Sequence, residues 1–256
     1  MELLHCKDIA FSYDSLTVLR GISFAVNAGE TLCIVGENGS GKTTLLRGLL
    51  GLLKPSGGSI ERRLYAGGIG YLPQESSLQK DFPATVYEAV LSGRQSCRGL
   101  WPFYTKADKA AVNANLERTG LAGLSGRCFR ELSGGQRRRA LLARALCAAG
   151  IGEAKTTKNP GILILDEPAS GLDPLVQRDL YAVLRSVNSE LAITIIMVSH
   201  ELEGVLELAD KILHIGEHAG GGTTLFYGSC ADYRASEAGR RFLHQRKFSG
   251  IKQEAV

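Results

Sequence analysis

The sequence lacks the features that mark membrane-spanning, disulfide-stabilised or nucleic-acid-binding chains. No apolar run approaches the roughly 18 residues that a membrane helix needs, and the longest strongly apolar stretch, residues 191–198, includes Thr194. The six cysteines are scattered and form no C-x-x-C pair, which argues against structural disulfides. The net charge of +4 is too small to indicate a nucleic-acid partner by itself. The first residues also lack the basic start and apolar core of a signal peptide, so we expect a cytoplasmic chain.

What the chain does contain is ordinary for a globular protein, apart from its glycine content. Hydrophobic residues make up 44% and charged residues 22% of the 256 residues, which excludes disorder as the main state. This length suits one large domain or two small ones. Glycine accounts for 31 residues, well above the average share of about 7%. We therefore expect many tight loops, some of them built for close approach to a ligand.

Strand-like and helix-like segments alternate along much of the chain. Apolar runs predict strands at residues 18–26, 31–35, 68–72, 162–165 and 192–199, and the first 35 residues predict short strands only. Helical spacing occurs at residues 43–53, 85–146 and 174–189. Such alternation is typical of a parallel sheet in an α/β core. Residues 149–161 are small, polar and basic, and predict an exposed loop.

The strongest local pattern is GENGSGKT at residues 36–43, which fits G-x-x-x-x-G-K-[ST] between an apolar strand and a helix. In such a loop the backbone N–H groups cradle phosphate oxygens, and the following helix adds its dipole. We expect Lys42 to lie along the β- and γ-phosphates and the Thr43 hydroxyl to bind Mg²⁺. The alternative is a glycine-rich turn that binds nothing, and the flanking strand and helix disfavour it.

A second pattern, ILILDEP at residues 162–168, is an apolar strand that ends in two carboxylates. Asp166 at the strand end is placed to hold Mg²⁺, usually through water, and Glu167 to accept a proton from the attacking water or to orient it. Many strands end in acidic residues, so this pattern alone is weak. Together with residues 36–43 it indicates nucleotide hydrolysis.

A third pattern, LSGGQ at residues 132–136, lies between the other two. A serine and two glycines at a helix start form a second end that can bind phosphate, although S-x-x-Q alone is more often a plain helix cap. In this position the pentapeptide is the signature of the ATP-binding cassette family. Over nearly its whole length the chain resembles the ATPase subunit of an ATP-binding cassette (ABC) transporter.

This resemblance implies a fold and a division of the chain. The fold is α/β, with a P-loop NTPase (RecA-like) core, an antiparallel β subdomain and an inserted α-helical subdomain. Within a single ABC ATPase domain, residues 1–80 and 147–244 would form the core with its β subdomain. Residues 81–146 would form the helical subdomain with the signature motif, and residues 245–256 a flexible tail.

The resemblance also implies site residues beyond the three motifs. Tyr13 would stack on adenine, Gln74 would touch Mg²⁺ and the γ-phosphate region, and His200 would be the switch histidine. The implied catalytic residues are Glu167, His200 and Gln74, and the implied Mg²⁺ ligands are Thr43, Gln74 and Asp166. The implied nucleotide-binding residues are Tyr13, Gly36, Glu37, Asn38, Gly39, Ser40, Gly41, Lys42, Thr43, Thr44, Ser133, Gly134, Gly135, Gln136 and Asp173.

Partners follow from the same resemblance. Two copies of the family's ATPase sandwich two ATP molecules head to tail, so residues 36–43 of one copy would face residues 133–136 of the other. The implied cofactors are ATP and Mg²⁺. The implied partners are a second copy in the ATP-bound state, two integral membrane permease subunits and, indirectly, a solute-binding protein, with no nucleic acid. The chain would lie at the cytoplasmic face of the cell membrane as a peripheral subunit.

The transported substrate is the less specific part of the resemblance. Residues 81–94, 132–146 and 227–243 resemble the ATPases of zinc and manganese importers, which implies uptake of a divalent metal ion. Siderophore or cobalamin importers are the alternative. Soluble non-transport ABC proteins are disfavoured because the chain has no long coiled coil and no second cassette. A P-loop kinase or GTPase is disfavoured because it would lack the LSGGQ pentapeptide of residues 132–136. A non-hydrolysing regulatory cassette is disfavoured because it would have lost Glu167 or His200.

Three other features leave alternatives open. The loop at residues 149–161 is longer than the family usually shows, and its role is open. His214 and His218 have the spacing of metal ligands on a helix, but Gly216 between them favours a strand that leads into a glycine-rich hairpin. The aromatic cluster at residues 101–104 fits either core packing or the wall of a groove for the membrane partner.

Overall fold

Nine strands and eight α-helices, with three short 3-10 helices, occur in the part of the chain that the structure, a computed structural model, describes. This part comprises residues 1–14, 16–63, 68–74, 83–97, 103–152, 161–199, 202–218 and 221–251, without the side chains of residues 202, 203, 218 and 245–251. The strands are β1 (Glu2–Tyr13), β2 (Leu16–Asn27), β3 (Thr31–Val35), β4 (Gly57–Arg62), β5 (Ile69–Leu72), β6 (Ile162–Asp166), β7 (Thr194–Val198), β8 (Lys211–His218) and β9 (Gly221–Ser229). The helices are α1 (Lys42–Leu49), α2 (Val86–Leu91), α3 (Lys106–Arg118), α4 (Gly134–Ala148), α5 (Pro174–Leu191), α6 (Leu202–Leu206), α7 (Cys230–Ala235) and α8 (Glu237–Ile251).

The first of two compact units comprises Met1–Leu4, Val26–Thr31 and Arg62–Val198. Its strands β7, β6 and β5 lie side by side and parallel, with Ile162 of β6 between Ile69 and Thr194. Both β6 and β7 are buried along their whole length, as expected for parallel strands covered on both faces. Helix α4 lies close against β5, because a Cβ atom on Gly70 would lie 2.0 Å from the carbonyl oxygen of Ala145.

The second unit comprises His5–Ala25, Leu32–Glu61 and Ser199–Val256. Its strands follow the order β4-β1-β2-β9-β8-β3. Strands β3 and β8 are parallel, whereas β8 and β9 form an antiparallel hairpin, so His214 and His218 lie on a strand as the sequence predicts. Helix α1 packs on β1, because a Cβ atom on Gly48 would lie 2.1 Å from the ring of Phe11.

Three helices of the first unit begin with reciprocal side-chain caps. In each, a serine or threonine side chain accepts from a backbone N–H three residues later, and the side chain there accepts from the backbone N–H of the capping residue. The pairs are Thr85 with Glu88, Thr105 with Asp108 and Ser133 with Gln136. The backbone and side-chain hydrogen bonds from Thr85 also lower the pKa of Glu88. These short motifs explain why the sequence predicts the starts of α2 and α4 correctly.

The prediction of short strands in the first 35 residues is wrong, because β1 and β2 have 12 residues each. Polar or glycine residues interrupt the apolar pattern of both strands and resemble turns in the sequence. They occupy irregular positions inside the strands: φ is +48° at Asp8 and +65° at Gly21, and the backbone N–H of Asp8 donates to Ser23 Oγ at 2.8 Å. The ladder therefore continues past residues that usually end a strand.

The C-terminal backbone and the 149–161 loop fall partly within the described residues. Helix α8 extends to Ile251, so the first seven residues of the segment expected to be a flexible tail are helical. Of the loop, residues 153–160 lie outside the described residues. The division into a core and an inserted helical subdomain stays a prediction.

Candidate functional site

The phosphate-loop residues lie in the second unit, between β3 and α1. Lys42 is 5% exposed, and its Nζ donates to the carbonyl oxygen of Gly36 at 2.9 Å and to that of Glu37 at 2.6 Å. The backbone φ of Gly41 is +93°, a value that residues other than glycine rarely adopt. A Cβ atom on Gly36 would lie 2.2 Å from the carbonyl oxygen of Ile215. The glycines and Lys42 thus form the tightly wound loop that the sequence predicts.

The polar groups of this loop fit a nucleotide phosphate. Ser40 is 2% exposed, and its Oγ has no hydrogen-bond partner among the residues that the structure describes. An unpaired buried hydroxyl costs about 1–3 kcal/mol, so a phosphate oxygen that accepted from it would remove a penalty. Thr43, in the first turn of α1, is exposed, which leaves its side chain accessible to an ion or ligand. These groups are of the kinds that a bound nucleotide requires: a hydrogen-bond donor for the phosphate and an accessible hydroxyl oxygen for Mg²⁺.

The two carboxylates lie in the first unit, where β6 ends. Asp166 is 5% exposed, whereas Glu167 is half-buried. The backbone of Glu167 has φ +48°, a left-handed conformation that costs a non-glycine residue about 1–3 kcal/mol unless its surroundings impose it. One such constraint is the hydrogen bond from its backbone N–H to the carbonyl oxygen of Val198, at 3.0 Å. Strain of this kind is concentrated at functional sites.

Gln74 contacts one of these carboxylates directly. Its Nε2 donates to Glu167 Oε2 at 3.0 Å, although the two residues are 93 positions apart. Gln74 follows β5, and Glu167 follows the neighbouring parallel strand β6, so both lie at the carboxyl edge of the sheet in this unit. Gln74, which the family resemblance assigns to the γ-phosphate region, therefore lies beside Glu167, the carboxylate predicted to act on the attacking water.

Arg138 is a site residue that the sequence analysis does not assign. It lies on α4, is 2% exposed, and donates to the main-chain carbonyl oxygens of Pro73, Asp166, Glu167 and Pro168. The spacing of α4 holds a signal that could have indicated it. Arg138 shares the i, i+3, i+4, i+7 face with three buried apolar residues, and a buried arginine on such a face needs hydrogen-bond partners.

The signature residues form the start of α4. The Ser133 side chain caps the helix, and Gln136 Oε1 accepts from the Ser133 backbone N–H at 3.0 Å. A Cβ atom on Gly135 would lie 2.6 Å from Cγ1 of Val176, so packing within the unit explains this glycine. A Cβ atom on Gly134 would meet no described residue within 4 Å. Contacts among the residues that the structure describes therefore do not explain why position 134 is glycine.

The remaining predicted site residues have mixed outcomes. Asp173 Oδ1 accepts from the backbone N–H groups of Leu175 and Val176, each at 3.1 Å, so this carboxylate caps α5. Tyr13 ends β1 and is 41% exposed, which leaves its ring accessible for stacking. His200 lies outside the described residues. Roles of Asp173 and Tyr13 toward a nucleotide stay predictions.

No alternative metal site is found in the described part of the chain, which contains no group of three or more His, Cys, Asp or Glu residues arranged to hold a metal ion. His214 is 4% exposed, and its Nδ1 lies 3.1 Å from the Tyr233 hydroxyl. Burial, together with the nearby charge of Lys42, lowers the pKa of His214 to about 4. None of the six cysteines, all of which lie in the described part of the chain, forms a disulfide, as the scattered spacing predicts. Phe103, from the aromatic cluster, is 71% exposed, so core packing does not account for it.

Comparisons with known proteins decide the family. The sequence profile of the ABC transporter family matches residues 19–170, a range that contains residues 36–43, 132–136 and 162–168. The chain belongs to the ABC transporter family. Zinc import ATP-binding protein ZnuC 2 of Hahella chejuensis is 37% identical over 218 residues, which cover 84% of this chain and 80% of that protein. Zinc transport system ATP-binding protein AdcC of Streptococcus pneumoniae is 33% identical over 221 residues, which cover 84% and 90%.

Solved structures of ABC ATPases confirm the predicted fold class. The cbiO1 structure from Clostridium perfringens, part of the ABC transporter complex cbiONQ, has a TM-score of 0.75, 27% identity and 99% coverage of both chains. The ADP conformation of MJ1267, an ATP-binding cassette of an ABC transporter, has a TM-score of 0.75 and 25% identity, covering 95% of this chain and 98% of that one. This ABC protein is accordingly an ATPase that binds ATP. ATPase subunits of this family act in transporter complexes that contain membrane components.

The ABC chain contains no membrane span of its own in the part that the structure describes. None of the described helices combines the length and the apolar composition that crossing a bilayer requires. This finding concerns the helices alone.

Proposed function

We propose that this chain hydrolyses ATP to drive uptake of a divalent metal ion, zinc or manganese, through two membrane permease subunits. The support for the metal is the set of relatives named as zinc import or zinc transport system ATP-binding proteins, which are 33–37% identical to this chain. The observation that carries the hydrolytic role is the contact between Gln74 Nε2 and Glu167 Oε2 at the end of β6.

The roles of the residues follow from their chemistry. Glu167 is half-buried and has an amide donor at its carboxylate, so it can take a proton from the attacking water and keep that water oriented. Lys42 and the backbone N–H groups of residues 36–43 hold the phosphates. Thr43, Gln74 and Asp166 are the residues that would hold Mg²⁺, and when bound this ion neutralises charge on the phosphates. The family resemblance further implies that the nucleotide is bound by Tyr13, Thr44 and Asp173. It also implies that His200 is a catalytic residue, the switch histidine.

Gly134 supports the proposal that two copies share each ATP. The open space around Gly134 lets the start of α4 approach a phosphate closely, with N–H groups and the helix dipole directed at it. None of the residues that the structure describes uses this space, whereas Gly135 beside it is packed on Val176. A second copy that presents its bound ATP at Gly134 would use it. This arrangement is a head-to-tail homodimer in the ATP-bound state, held at the cytoplasmic face of the membrane by the permease subunits.

A second candidate substrate is a chelated metal. The chelated iron transport system protein YfeB of Yersinia pestis is 35% identical over 208 residues, which cover 78% of this chain and 67% of that protein. Uptake of a chelated metal, such as an iron–siderophore complex or the cobalt complex cobalamin, would use the same ATPase chemistry with different permease subunits.

Metal uptake by cells that carry Glu167→Gln in place of the wild-type chain tests the proposal. The substitution keeps the shape and removes the basic carboxylate, so we expect the ATPase rate to fall about 10²–10⁴-fold. Uptake of radioactive zinc or manganese should fall with it, while ATP binding is retained. Glu190→Gln, the same change at an exposed position on α5, is the matched control.

Three results would contradict the proposal. The E167Q chain could hydrolyse ATP within twofold of the wild-type rate, which would remove Glu167 from catalysis. Zinc and manganese uptake could both be unaffected by E167Q while uptake of an iron chelate is lost, which would favour the second candidate. E190Q could reduce uptake as strongly as E167Q, which would show that the loss is not specific to the site.

A further inference from the structure

One guanidinium group connects three motifs of the first unit. We propose that Arg138 is a positioning residue, which fixes the backbone of Glu167 and thereby aims its carboxylate at the attacking water. The inference rests on the proposed role of Glu167. Arg138 itself lies on α4, five residues after Ser133, and is 2% exposed.

Four hydrogen bonds from Arg138 reach main-chain oxygens around the two carboxylates and Gln74. Nε donates to the carbonyl oxygen of Pro168 at 2.7 Å, and Nη1 donates to that of Pro73 at 2.8 Å. Nη2 donates to the carbonyl oxygens of Asp166 at 3.0 Å and Glu167 at 2.5 Å. Guanidinium is suited to this task because its five N–H donors lie in one rigid plane.

Three consecutive carbonyl groups, those of residues 166–168, are turned toward this one side chain. An extended strand points successive carbonyl groups in opposite directions, so the chain must turn sharply here. The turn includes the left-handed Glu167, with φ +48°. Strained conformations persist only where the surroundings impose them, and the guanidinium of Arg138 supplies hydrogen bonds on both sides of the strained residue.

The same side chain also fixes the partner of the Glu167 carboxylate. Pro73, whose carbonyl oxygen accepts from Nη1, directly precedes Gln74. Gln74 Nε2 in turn donates to Glu167 Oε2 at 3.0 Å. Both sides of this catalytic contact therefore depend on Arg138, and the helix that begins with Ser133 supplies it.

A purely structural role is the competing explanation, and Arg94 provides the matched control. Arg94 is also buried, with 3% exposure, and its guanidinium donates to Asp108 Oδ1 and to the carbonyl oxygen of Cys147, each at 2.9 Å. Burial raises the pKa of Asp108, but the hydrogen bonds from Thr105 and Arg94 and the charge of Arg94 outweigh it and lower that pKa overall. Arg94 thus stabilises the other end of α4 without a recorded bond to residues 73 or 166–168.

The test is a double-mutant cycle between Arg138→Lys and Glu167→Gln, with Arg94→Lys as control. Lysine keeps the charge but has no planar set of donors that could hold all four carbonyl groups. Single-turnover hydrolysis of radiolabelled ATP measures even the slow rate of the E167Q chain, and equilibrium titration measures ATP affinity. Arg138→Gln is the second variant, used if the lysine variant does not fold.

We expect R138K to lower the hydrolysis rate about ten- to a hundredfold, the cost typical of a misplaced catalytic group, and to change ATP affinity by less than about twofold. In the E167Q chain the same substitution should lower the remaining rate by less than about twofold, because the group that Arg138 positions is already gone. R94K should lower the melting temperature but leave the rate of the folded protein unchanged.

The outcomes separate the two levels of the argument. If E167Q alone keeps the wild-type rate, the proposed role of Glu167 fails and this inference fails with it. If E167Q loses activity but R138K lowers the rate equally in both backgrounds, only the positioning role is overturned. An equal loss of rate in R94K, or a loss of ATP affinity that accounts for the R138K effect, would also contradict it.

Discussion

At the residue scale, Lys42 of the second unit and Glu167 of the first unit are held in different ways. Lys42 is a buried ammonium whose recorded hydrogen bonds go to neutral carbonyl groups of its own loop, so phosphate oxygens would be stronger partners. Glu167 is half-buried and strained at the backbone, with an amide donor at its carboxylate. In the proposed mechanism, Lys42 binds the negative charge of the phosphates and Glu167 accepts a proton from the attacking water.

His214 makes the folded chain sensitive to acid. Its pKa is lowered from the ordinary 6.5 to about 4 by burial and by the charge of Lys42, with Tyr233 and Phe242 as its aromatic neighbours. Between these values the unfolded chain binds more protons than the folded chain, so stability rises with pH across this window. Wild-type stability should therefore fall as the pH drops from 6.5 to 4.

The substitution His214→Gln isolates this contribution, because glutamine can still bond to the Tyr233 hydroxyl but does not titrate. We expect the variant to lose less stability than the wild type between pH 6.5 and 4, by up to about 3 kcal/mol. Denaturant unfolding at a series of pH values measures the difference. Equal losses in the two proteins would show that His214 does not carry the effect.

At the element scale, short-range patterns predict structure well and long-range contacts do not follow from them. The capping boxes at Thr85 and Ser133 and the loop before α1 are encoded within eight residues, so the sequence indicates them directly. The lengths of β1 and β2 are set by pairing with other strands, which tolerates the irregular residues Asp8 and Gly21. A pattern confined to one strand cannot contain that information.

The role of Arg138 is missing from the sequence analysis for the same reason. Its bonds run to residues 28, 29, 30 and 65 positions away. The motif around Ser133 is visible in the sequence, whereas the target of a side chain that leaves α4 depends on the packing of α4 against the sheet. The buried-face spacing of α4 gives only the hint that Arg138 is enclosed.

Two adjacent glycines at the start of α4 should respond differently to substitution, one in activity and the other in stability. Gly134→Ala should leave the melting temperature unchanged or slightly higher, because no described residue lies within 4 Å and alanine favours a helix. It should nevertheless lower the ATPase rate, since the added methyl group would meet the partner's nucleotide. Gly135→Ala should lower the melting temperature, because its Cβ atom would lie 2.6 Å from Val176 Cγ1.

Thermal unfolding and steady-state hydrolysis, measured on the same preparations, check this pair of predictions. If G134A keeps full activity, the open space at Gly134 is not used for nucleotide. If G135A is as stable as the wild type, Val176 moves aside at no cost and the packing explanation fails.

At the scale of the whole molecule, each compact unit contains some of the residues predicted to act on a nucleotide. The second unit contains Lys42 and its loop, and the first contains Glu167, Gln74 and the signature helix α4. The sequence motifs predict this set because each motif is contiguous. The family match over residues 19–170 and the TM-score of 0.75 to cbiO1 bear out the fold that they imply.

In the proposed mechanism ATP joins two copies of this chain head to tail, and cross-linking tests this arrangement most directly. One chain carries Asn38→Cys in its exposed phosphate loop, and the other carries Glu131→Cys at an exposed position two residues before Ser133, each with a different affinity tag. Both contain E167Q to preserve bound ATP. The three partly exposed cysteines, Cys97, Cys128 and Cys230, are replaced by serine, and the buried three remain.

The two chains are mixed and treated with a short bis-maleimide reagent, with and without ATP and Mg²⁺. We expect a cross-linked species that carries both tags and that ATP increases strongly. The head-to-tail arrangement would be contradicted if the cross-linked species formed equally without ATP. It would also be contradicted if no such species formed although titration showed that both chains bind ATP.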